Sequence, residues 1–222
     1  MKDYELLDDQ GRATPVSTFL AAHRGYRRDA ARFPGGLRAL ADEGLPAEGL
    51  DALRNHWRGF DQALLTHHEM EDNFLFPLYR ATQPSLASVL DELEAQHTDM
   101  DKRIEELNGW MAKLPEAGAV DQTVSAFEAF DAAVSQHLDL EERYIVPLMQ
   151  ADPPQPPQPG GPGGGPPGPL EDLDFAFLGP WLADGLDDDT VAALLEVAPP
   201  PFKINFDENR RHYTQQLTRW LP

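Results

Sequence analysis

A histidine and glutamate pattern occurs twice in the chain, as HHEMEDNFLFP at residues 67–77 and as HLDLEERYIVP at residues 137–147. In each copy a glutamate follows the first histidine by four residues, and a proline closes an apolar run. On an α-helix, side chains four residues apart lie on one face, so each copy directs an imidazole and a carboxylate toward one point. Mixed imidazole and carboxylate ligands inside a helix bundle suit iron or manganese.

The residues of both copies fall within apolar stripes whose steps alternate between three and four residues, the spacing of a buried helix face. One stripe comprises Leu50, Leu53, Trp57, Phe60, Leu64, His67, Glu71, Phe74 and Leu78, and the other Val120, Val124, Phe127, Phe130, Val134, His137, Glu141, Tyr144 and Leu148. A buried carboxylate is normally protonated, paired or bound to a metal. Two buried carboxylates, each one turn from a buried histidine, predict a metal centre.

Two further histidines occupy stripe positions, each in a helix of its own. Their stripes comprise Val16, Phe19, His23, Tyr26, Ala30 and Phe33, and Leu86, Leu90, Leu93, His97, Met100, Ile104, Leu107, Met111 and Leu114. One core histidine alone would more simply be a packing residue, but four with two glutamates converge on metal binding. The predicted ligands are His23, His67, Glu71, His97, His137 and Glu141.

Other side chains near these positions have alternative roles. Asp101 lies beside its stripe and is an additional candidate ligand, although a solvated position is the simpler interpretation. His68 points about 100° away from His67, so we expect it to support the site from outside or to lie at the surface. Core packing is the default for Tyr26, with a hydrogen-bonding or electron-relay role as the alternative. The remaining expectations are a solvent-facing Glu142, surface or packing roles for His56 and His212, and core packing for Tyr144 with the same alternative as for Tyr26. Trp181 and Trp220 are expected to anchor the C-terminal segment rather than to contact a substrate.

Four long helices must position these residues. Start and stop signals predict them at about 14–32, 46–80, 84–114 and 121–150, each with its histidine well inside the helix. The first should stop before a Pro-Gly-Gly sequence, and Pro77 should kink the second near its end. Short connections predict an all-α, antiparallel up-down-up-down bundle, in which the four histidines reach one level of the core.

The chain divides into three predicted regions. The bundle occupies residues 1–152, a Pro/Gly-rich linker occupies 153–169, and a helical extension occupies 170–222. Two short helices are expected in the extension, at 187–197 and 207–221. The apolar residues of this extension are too few for a separate core, so we expect it to pack on the bundle.

Composition excludes several classes of function. The 222 residues include no cysteine, which rules out disulfides, thiolate-bound zinc and iron–sulfur clusters. A formal net charge of -20 argues against nucleic-acid binding, which needs a basic surface. No apolar stretch is long enough for a membrane span, and the acidic N-terminus does not resemble a signal peptide. These features predict a cytoplasmic protein.

The ordered set His23, His67-x-x-x-Glu71, His97, His137-x-x-x-Glu141 resembles the hemerythrin-like (HHE) proteins of bacteria over roughly residues 14–150. The resemblance implies two non-haem iron ions, with bridging glutamates and terminal histidines. Oxygen-carrying members have a second histidine where this chain has Asp101, and an aspartate where it has Glu142. Four histidines instead of five predict a more open iron, and an open position serves a reacting metal.

The resemblance therefore favours redox reaction with O2, peroxide or nitric oxide over reversible oxygen transport, with an electron donor that the sequence does not identify. Manganese could replace iron. The apolar residues Trp57, Phe60, Leu64 and Phe74 are expected to limit access of water to the site. Two alternatives remain open, a di-iron oxidase or oxygenase for a small organic substrate and a sensor or store for O2 or iron. An extension that closes over a pocket beside the metals would favour the organic substrate, and one on the outside of the bundle would favour small molecules.

Overall fold

The structure of the chain is a computed structural model, and it describes residues 5–154 and 173–222. Four long helices form the bundle, namely α1 (Ser17–Asp42), α2 (Ala47–Met70), α4 (Ala87–Lys113) and α5 (Ala119–Tyr144). Shorter elements follow α2 and α5, namely a π-helical segment (Glu71–Leu75), α3 (Phe76–Thr82), a 3₁₀ turn (Pro84–Leu86) and α6 (Val146–Ala151). Both α1 and α4 contact α2 and α5, which closes the four-membered ring. The prediction of an all-α four-helix bundle is confirmed.

The kink expected near Pro77 is a π-helical segment, which sequence periodicity did not predict. Proline has no N–H to donate, and the N–H of Phe76 donates to the carbonyl of Glu71, five residues back. The wider turn moves the buried stripe along by one residue. Leu75 is therefore buried, whereas Phe74 and Leu78 are only half-buried, and the predicted stripe is wrong beyond Glu71.

The last turns of α5 show a similar change of face. The helix ends at Tyr144 and resumes at Val146, so Ile145 is buried and Tyr144 is 36% exposed. The prediction that Tyr144 packs in the core is wrong for this reason.

Helix α1 continues ten residues beyond its predicted end near Arg32, through Pro34 and Gly36 to Asp42. A proline within a helix costs about 3 kcal/mol. The added turns bury Leu37 and Leu40, which contribute roughly 1.5–3 kcal/mol each. Gly36 also lies directly under the indole of Trp220, where a Cβ atom would be 2.4 Å from Cε3. The breaker sequence is thus tolerated because the extension covers it.

The extension contains α7 (Phe175–Ala183), α8 (Asp188–Val197), α9 (Pro200–Lys203) and α10 (Phe206–Leu217). Helices α8 and α10 correspond to the two that were predicted. Helix α7 was missed because it is apolar nearly all round, although Asp174 caps it by accepting hydrogen bonds from the N–H groups of Ala176 and Phe177. Helix α7 packs on α1 and α2, and α10 packs on α2 and α7.

One buried carboxylate, that of Asp29 on α1, joins the extension to the bundle. It is fully buried and lies 2.6 Å from Nε2 of His56 on α2 and 2.8 Å from Nε of Arg28. The indole N–H of Trp181 on α7 donates to it at 2.8 Å. Burial acts to raise the pKa of Asp29, but His56 and Arg28 outweigh burial and hold this pKa below its ordinary value.

Both tryptophan anchors are buried as expected, Trp181 at 0% and Trp220 at 1% exposure. The predicted linker lies almost wholly outside the described residues, so the three-region division stays a prediction. Among the helices that the structure describes, none combines the length and apolar character that a membrane crossing requires.

Candidate metal centre

Seven buried side chains meet at one level of the bundle and form two overlapping groups. The α1-side group comprises His23, His67, Glu71 and Glu141, and the α4-side group comprises His68, Glu71, His97 and His137. Within each group, one potential ligand atom from every residue lies within 4.8 Å of the others. Glu71 belongs to both groups.

All four bundle helices contribute to this centre. α1 supplies His23, α4 supplies His97, and α5 supplies His137 and Glu141. α2 supplies two histidines from its last turn, and Glu71 is the first residue of the π-helical segment that follows. π-Helical turns within α-helices often occur at functional sites. The structure thus brings together all six residues that were predicted as ligands.

His68 is a seventh member of the centre, which the sequence analysis did not predict. It is 4% exposed, and its ring stacks on that of His97 with centroids 3.9 Å apart. A surface position is therefore wrong for this residue. Helix α2 lies between α1 and α4 in the bundle. Two consecutive residues of α2, 100° apart around the helix, can therefore both face the core, with His67 directed toward α1 and His68 toward α4. The pair of adjacent histidines was the available signal.

Asp101, the additional candidate ligand, is exposed and belongs to neither group. The buried stripe of α4 passes through His97, Met100 and Ile104, which turns Asp101 toward solvent. The stacked imidazole of His68 is instead the extra nitrogen donor near His97.

Three of the histidines are oriented by polar side chains behind them. Nδ1 of His23 lies 3.3 Å from Oε1 of Glu142, and Nδ1 of His97 lies 2.9 Å from Oδ1 of Asp72. Nδ1 of His137 lies 3.2 Å from Oε1 of Gln96. Such contacts fix the ring of a metal-binding histidine and leave Nε2 for the metal. The expectation that Glu142 simply faces solvent is wrong, because its side chain is 12% exposed and lies against His23.

The atoms that face the centre make no hydrogen bond of acceptable geometry, although some of them lie 2.9–3.5 Å apart, and this tests whether the residues fit a metal. These atoms are Nε2 of His23, His67, His97 and His137, both nitrogens of His68, and all four carboxylate oxygens of Glu71 and Glu141. Buried polar atoms are almost always paired, and each exception needs an explanation. Imidazole nitrogens facing carboxylate oxygens in one small volume are what bound cations would satisfy, so the donor set fits a metal.

The pKa values of the buried groups are shifted by their burial and by one another's charges. Burial and the charge of Glu141 raise the pKa of Glu71 well above its ordinary value. Burial acts in the same direction on Glu141, but His23 outweighs it and lowers the pKa of Glu141. Burial lowers the pKa of His67 and of His137 to about 3.

Aromatic rings enclose the centre on two sides. The ring of Phe19 lies 4.3 Å from that of His23, and Tyr26 lies 5.2 Å from His67. Phe76 stacks on His97 at 5.5 Å. Of the four residues expected to exclude water, Trp57, Phe60 and Leu64 are buried, whereas Phe74 is half-buried and Phe76 lies nearer the site.

The fold and the site together define a class, that of helical-bundle proteins with a buried cation-binding cluster of histidine and glutamate. The family model of the hemerythrin HHE cation-binding domain matches residues 14–149. The chain therefore belongs to the hemerythrin HHE cation-binding family, as the resemblance implied. Searches of curated proteins and of solved structures found no match.

Proposed function

We propose that this chain is a non-haem di-iron protein that binds and reacts with O2, peroxide or nitric oxide. The proposal rests on the position of Glu71, because its two carboxylate oxygens face different donor groups. Oε1 lies 2.9 Å from Nε2 of His67, and Oε2 lies 3.4 Å from Nε2 of His97. A carboxylate in this position can bridge two ions, which lie about 3.5–4 Å apart in two-metal sites.

Glu141 supports the same arrangement from α5. Its Oε2 atom lies 3.3 Å from Nε2 of His23 in the α1-side group and 3.5 Å from Nε2 of His137 in the α4-side group. Both glutamates therefore lie between histidines of the two groups, as expected of bridging ligands. This geometry supports two ions rather than one.

The donor types support iron, with manganese as the alternative. The α1-side group offers two imidazoles and two carboxylates, and the α4-side group offers three imidazoles and one carboxylate. Mixed nitrogen and oxygen donors without thiolate are typical of non-haem iron sites. Four donors in each group also leave room for an exogenous ligand on an ion that accepts six.

Bound iron supplies the electrons for such chemistry, and the chain holds and shields the site. Polar contacts on Nδ1 orient three of the histidines, while Phe19, Tyr26 and Phe76 exclude bulk water from the cluster. An electron donor would restore the ferrous state, and we propose a cytoplasmic location for the protein. With His68 the cluster holds five histidines rather than the four predicted, so the preference for a redox enzyme over a passive store rests on the room for an exogenous ligand in each group.

The position of the extension favours small molecules over an organic substrate. The described helices of the extension contact α1 and α2, and none of their residues belongs to either donor group. The cleft of about 410 Å³ between α2 and the extension is lined by residues such as Asn55, Phe177 and Gln216, and none of the seven candidate ligands lines it. An oxygenase for an organic substrate is therefore the less favoured alternative.

The test is to load the metal-free protein with ferrous iron under anaerobic conditions and to count iron by elemental analysis. We expect two ions per chain, and fewer after His67→Ala than after His212→Ala, a matched control at an exposed histidine. Stopped-flow mixing with O2, peroxide and nitric oxide then separates the alternatives. Decay of an initial coloured species supports reaction, a stable oxygenated species supports a carrier or sensor, and absence of any reaction contradicts the proposal.

A further inference from the structure

The bundle carries glycines where aromatic residues of the extension approach its backbone. A Cβ atom at Gly25 would lie 2.6 Å from Cζ2 of Trp181, and one at Gly59 would lie 2.7 Å from Cδ1 of Phe177. Glycine in a helix interior costs about 1 kcal/mol relative to alanine. The close fit shows that α1 and α2 are shaped to receive the extension, which is therefore an integral part of the folded unit.

Trp181 reaches further into the bundle than the surface of α1. Its side chain is fully buried, and its ring centroid lies 5.0 Å from that of Tyr26. Its indole N–H is held by Asp29 at 2.8 Å. The indole is therefore held by a hydrogen bond at its N–H and by packing, and it contacts the ring of Tyr26.

Tyr26 in turn contacts the candidate ligand His67. The two rings are 5.2 Å apart, and the Tyr26 hydroxyl donates a 2.8 Å hydrogen bond to the carbonyl of Ala63, one turn before His67 on α2. His23, His97 and His137 have polar side chains on Nδ1, whereas the His67 ring is packed against the rings of Phe19 and Tyr26. Packing thus sets the orientation of this histidine.

We propose that the C-terminal extension is a positioning element of the metal centre, in which Trp181 acts through Tyr26 to orient the imidazole of His67. The inference rests on the proposed function only in taking His67 as a ligand. Because the extension supports a ligand of the α1-side group, loss of this support should weaken the binding of the ion at that group and leave binding at the α4-side group unchanged. Trp181 and Tyr26 are positioning residues, since the Tyr26 hydroxyl donates to the carbonyl of Ala63 and the Trp181 N–H donates to Asp29.

Trp220 provides a matched control in the same extension. It is as deeply buried as Trp181, but its ring contacts in the described chain are with Phe33 and His56. Replacing either tryptophan by alanine removes a similar packed area, but Trp181→Ala also removes the indole hydrogen bond to Asp29, and Trp181→Phe, which lacks this hydrogen bond but keeps a ring, separates the two losses. Only Trp181→Ala removes the contact with Tyr26.

The experiment titrates the full-length metal-free protein with Co(II), which reports its ligands through visible absorption, at a temperature where both variants are folded by circular dichroism. Loss of a residue that supports a ligand typically weakens metal affinity about 10–100-fold. We expect Trp181→Ala to lower the affinity for one of the two Co(II) ions by about ten-fold and to change the absorption spectrum of that ion. Trp220→Ala should change neither the affinity nor the spectrum. Trp181→Phe, which keeps a ring against Tyr26, should restore most of the affinity.

Equal effects of the two alanine variants, or no effect of Trp181→Ala while wild type binds two ions, would overturn the inference and leave the proposed function intact. If wild type binds no Co(II), the proposed function fails instead. The inference is then decided on metal-free protein by histidine-selective NMR, with the His67 signal assigned through His67→Gln. A His67 signal displaced by Trp181→Ala but not by Trp220→Ala supports it, and an unchanged signal refutes it.

Discussion

Replacing Glu71 by glutamine should have different effects on the metal-free and metal-loaded protein. Glutamine has nearly the shape of a protonated glutamate and cannot ionise beside the buried carboxylate of Glu141. Both side chains are fully buried, and burial and the charge of Glu141 already raise the pKa of Glu71. We therefore expect the metal-free variant to unfold at the temperature of wild type or slightly above it.

The loaded variant should lose most of its metal-dependent stability, because the two oxygens of Glu71 face different donor groups and glutamine keeps only one oxygen. A ligand present at 100 times its Kd stabilises a fold by about 2.7 kcal/mol, so two ions contribute about 5 kcal/mol. In a chain of this size that raises Tm by roughly 10–20 °C. A loss of about 100-fold in affinity at both ions leaves about 1 kcal/mol, or roughly 2–4 °C.

Differential scanning calorimetry of wild type, Glu71→Gln and Glu141→Gln, each with and without anaerobic Fe(II), measures these shifts at one fixed free metal concentration. Glu141→Gln is the matched comparison, since a single oxygen of Glu141, Oε2, approaches histidines of both groups and glutamine keeps one oxygen, so this variant should retain more of the metal-dependent rise than Glu71→Gln. The reasoning is refuted if Glu71→Gln lowers the Tm of the metal-free protein as much as that of the loaded protein, or if the full rise survives.

Three further predictions concern single residues elsewhere in the fold. Asp29→Asn should cost about 1–3 kcal/mol in urea unfolding at pH 7, because it weakens the buried contacts with His56 and Trp181 and leaves Asp184 as the carboxylate partner of Arg28. Because the folded-state pKa of Asp29 lies below its ordinary 3.8, the wild-type advantage should be present above about pH 4 and shrink as pH falls; a pH-independent difference would count against the buried ion pair. His68→Ala should lower iron content from two ions toward one, while His212→Ala should not, and unchanged iron would remove His68 from the ligand set. Gly25→Ala should destabilise by about 1–3 kcal/mol through overpacking, whereas Gly109→Ala, where a Cβ meets nothing within 4 Å, should stabilise by about 0.5–1 kcal/mol; equal effects in thermal melts would show that the extension is not tightly docked.

The six predicted ligands could be found because each lies on a helix stripe with a regular period. Steps of three and four residues place His23, His67, His97 and His137 on buried faces without reference to any other helix. The i, i+4 spacing then brings Glu71 and Glu141 to the same faces.

The errors arose where one part of the chain depends on another. His68 faces the centre because α2 lies between α1 and α4. The orientation of α2 relative to these neighbours is set by the packing of the whole bundle. Helix α1 passes its Pro-Gly-Gly sequence because Trp220 covers Gly36. The stripe beyond Glu71 shifts because the π-helical segment adds a residue to one turn.

The sequence by itself determined the helical class, the stripes and the identity of most candidate ligands, because these follow from local periodicity within single helices. Only the tertiary structure decided which atoms face one another. It showed that Glu71 lies between two donor groups, that His68 completes the second of them, and that the extension reaches His67 through Trp181 and Tyr26. The physical reason is that a helix period states which face a side chain occupies, whereas the position of that face in the core depends on how all the helices pack.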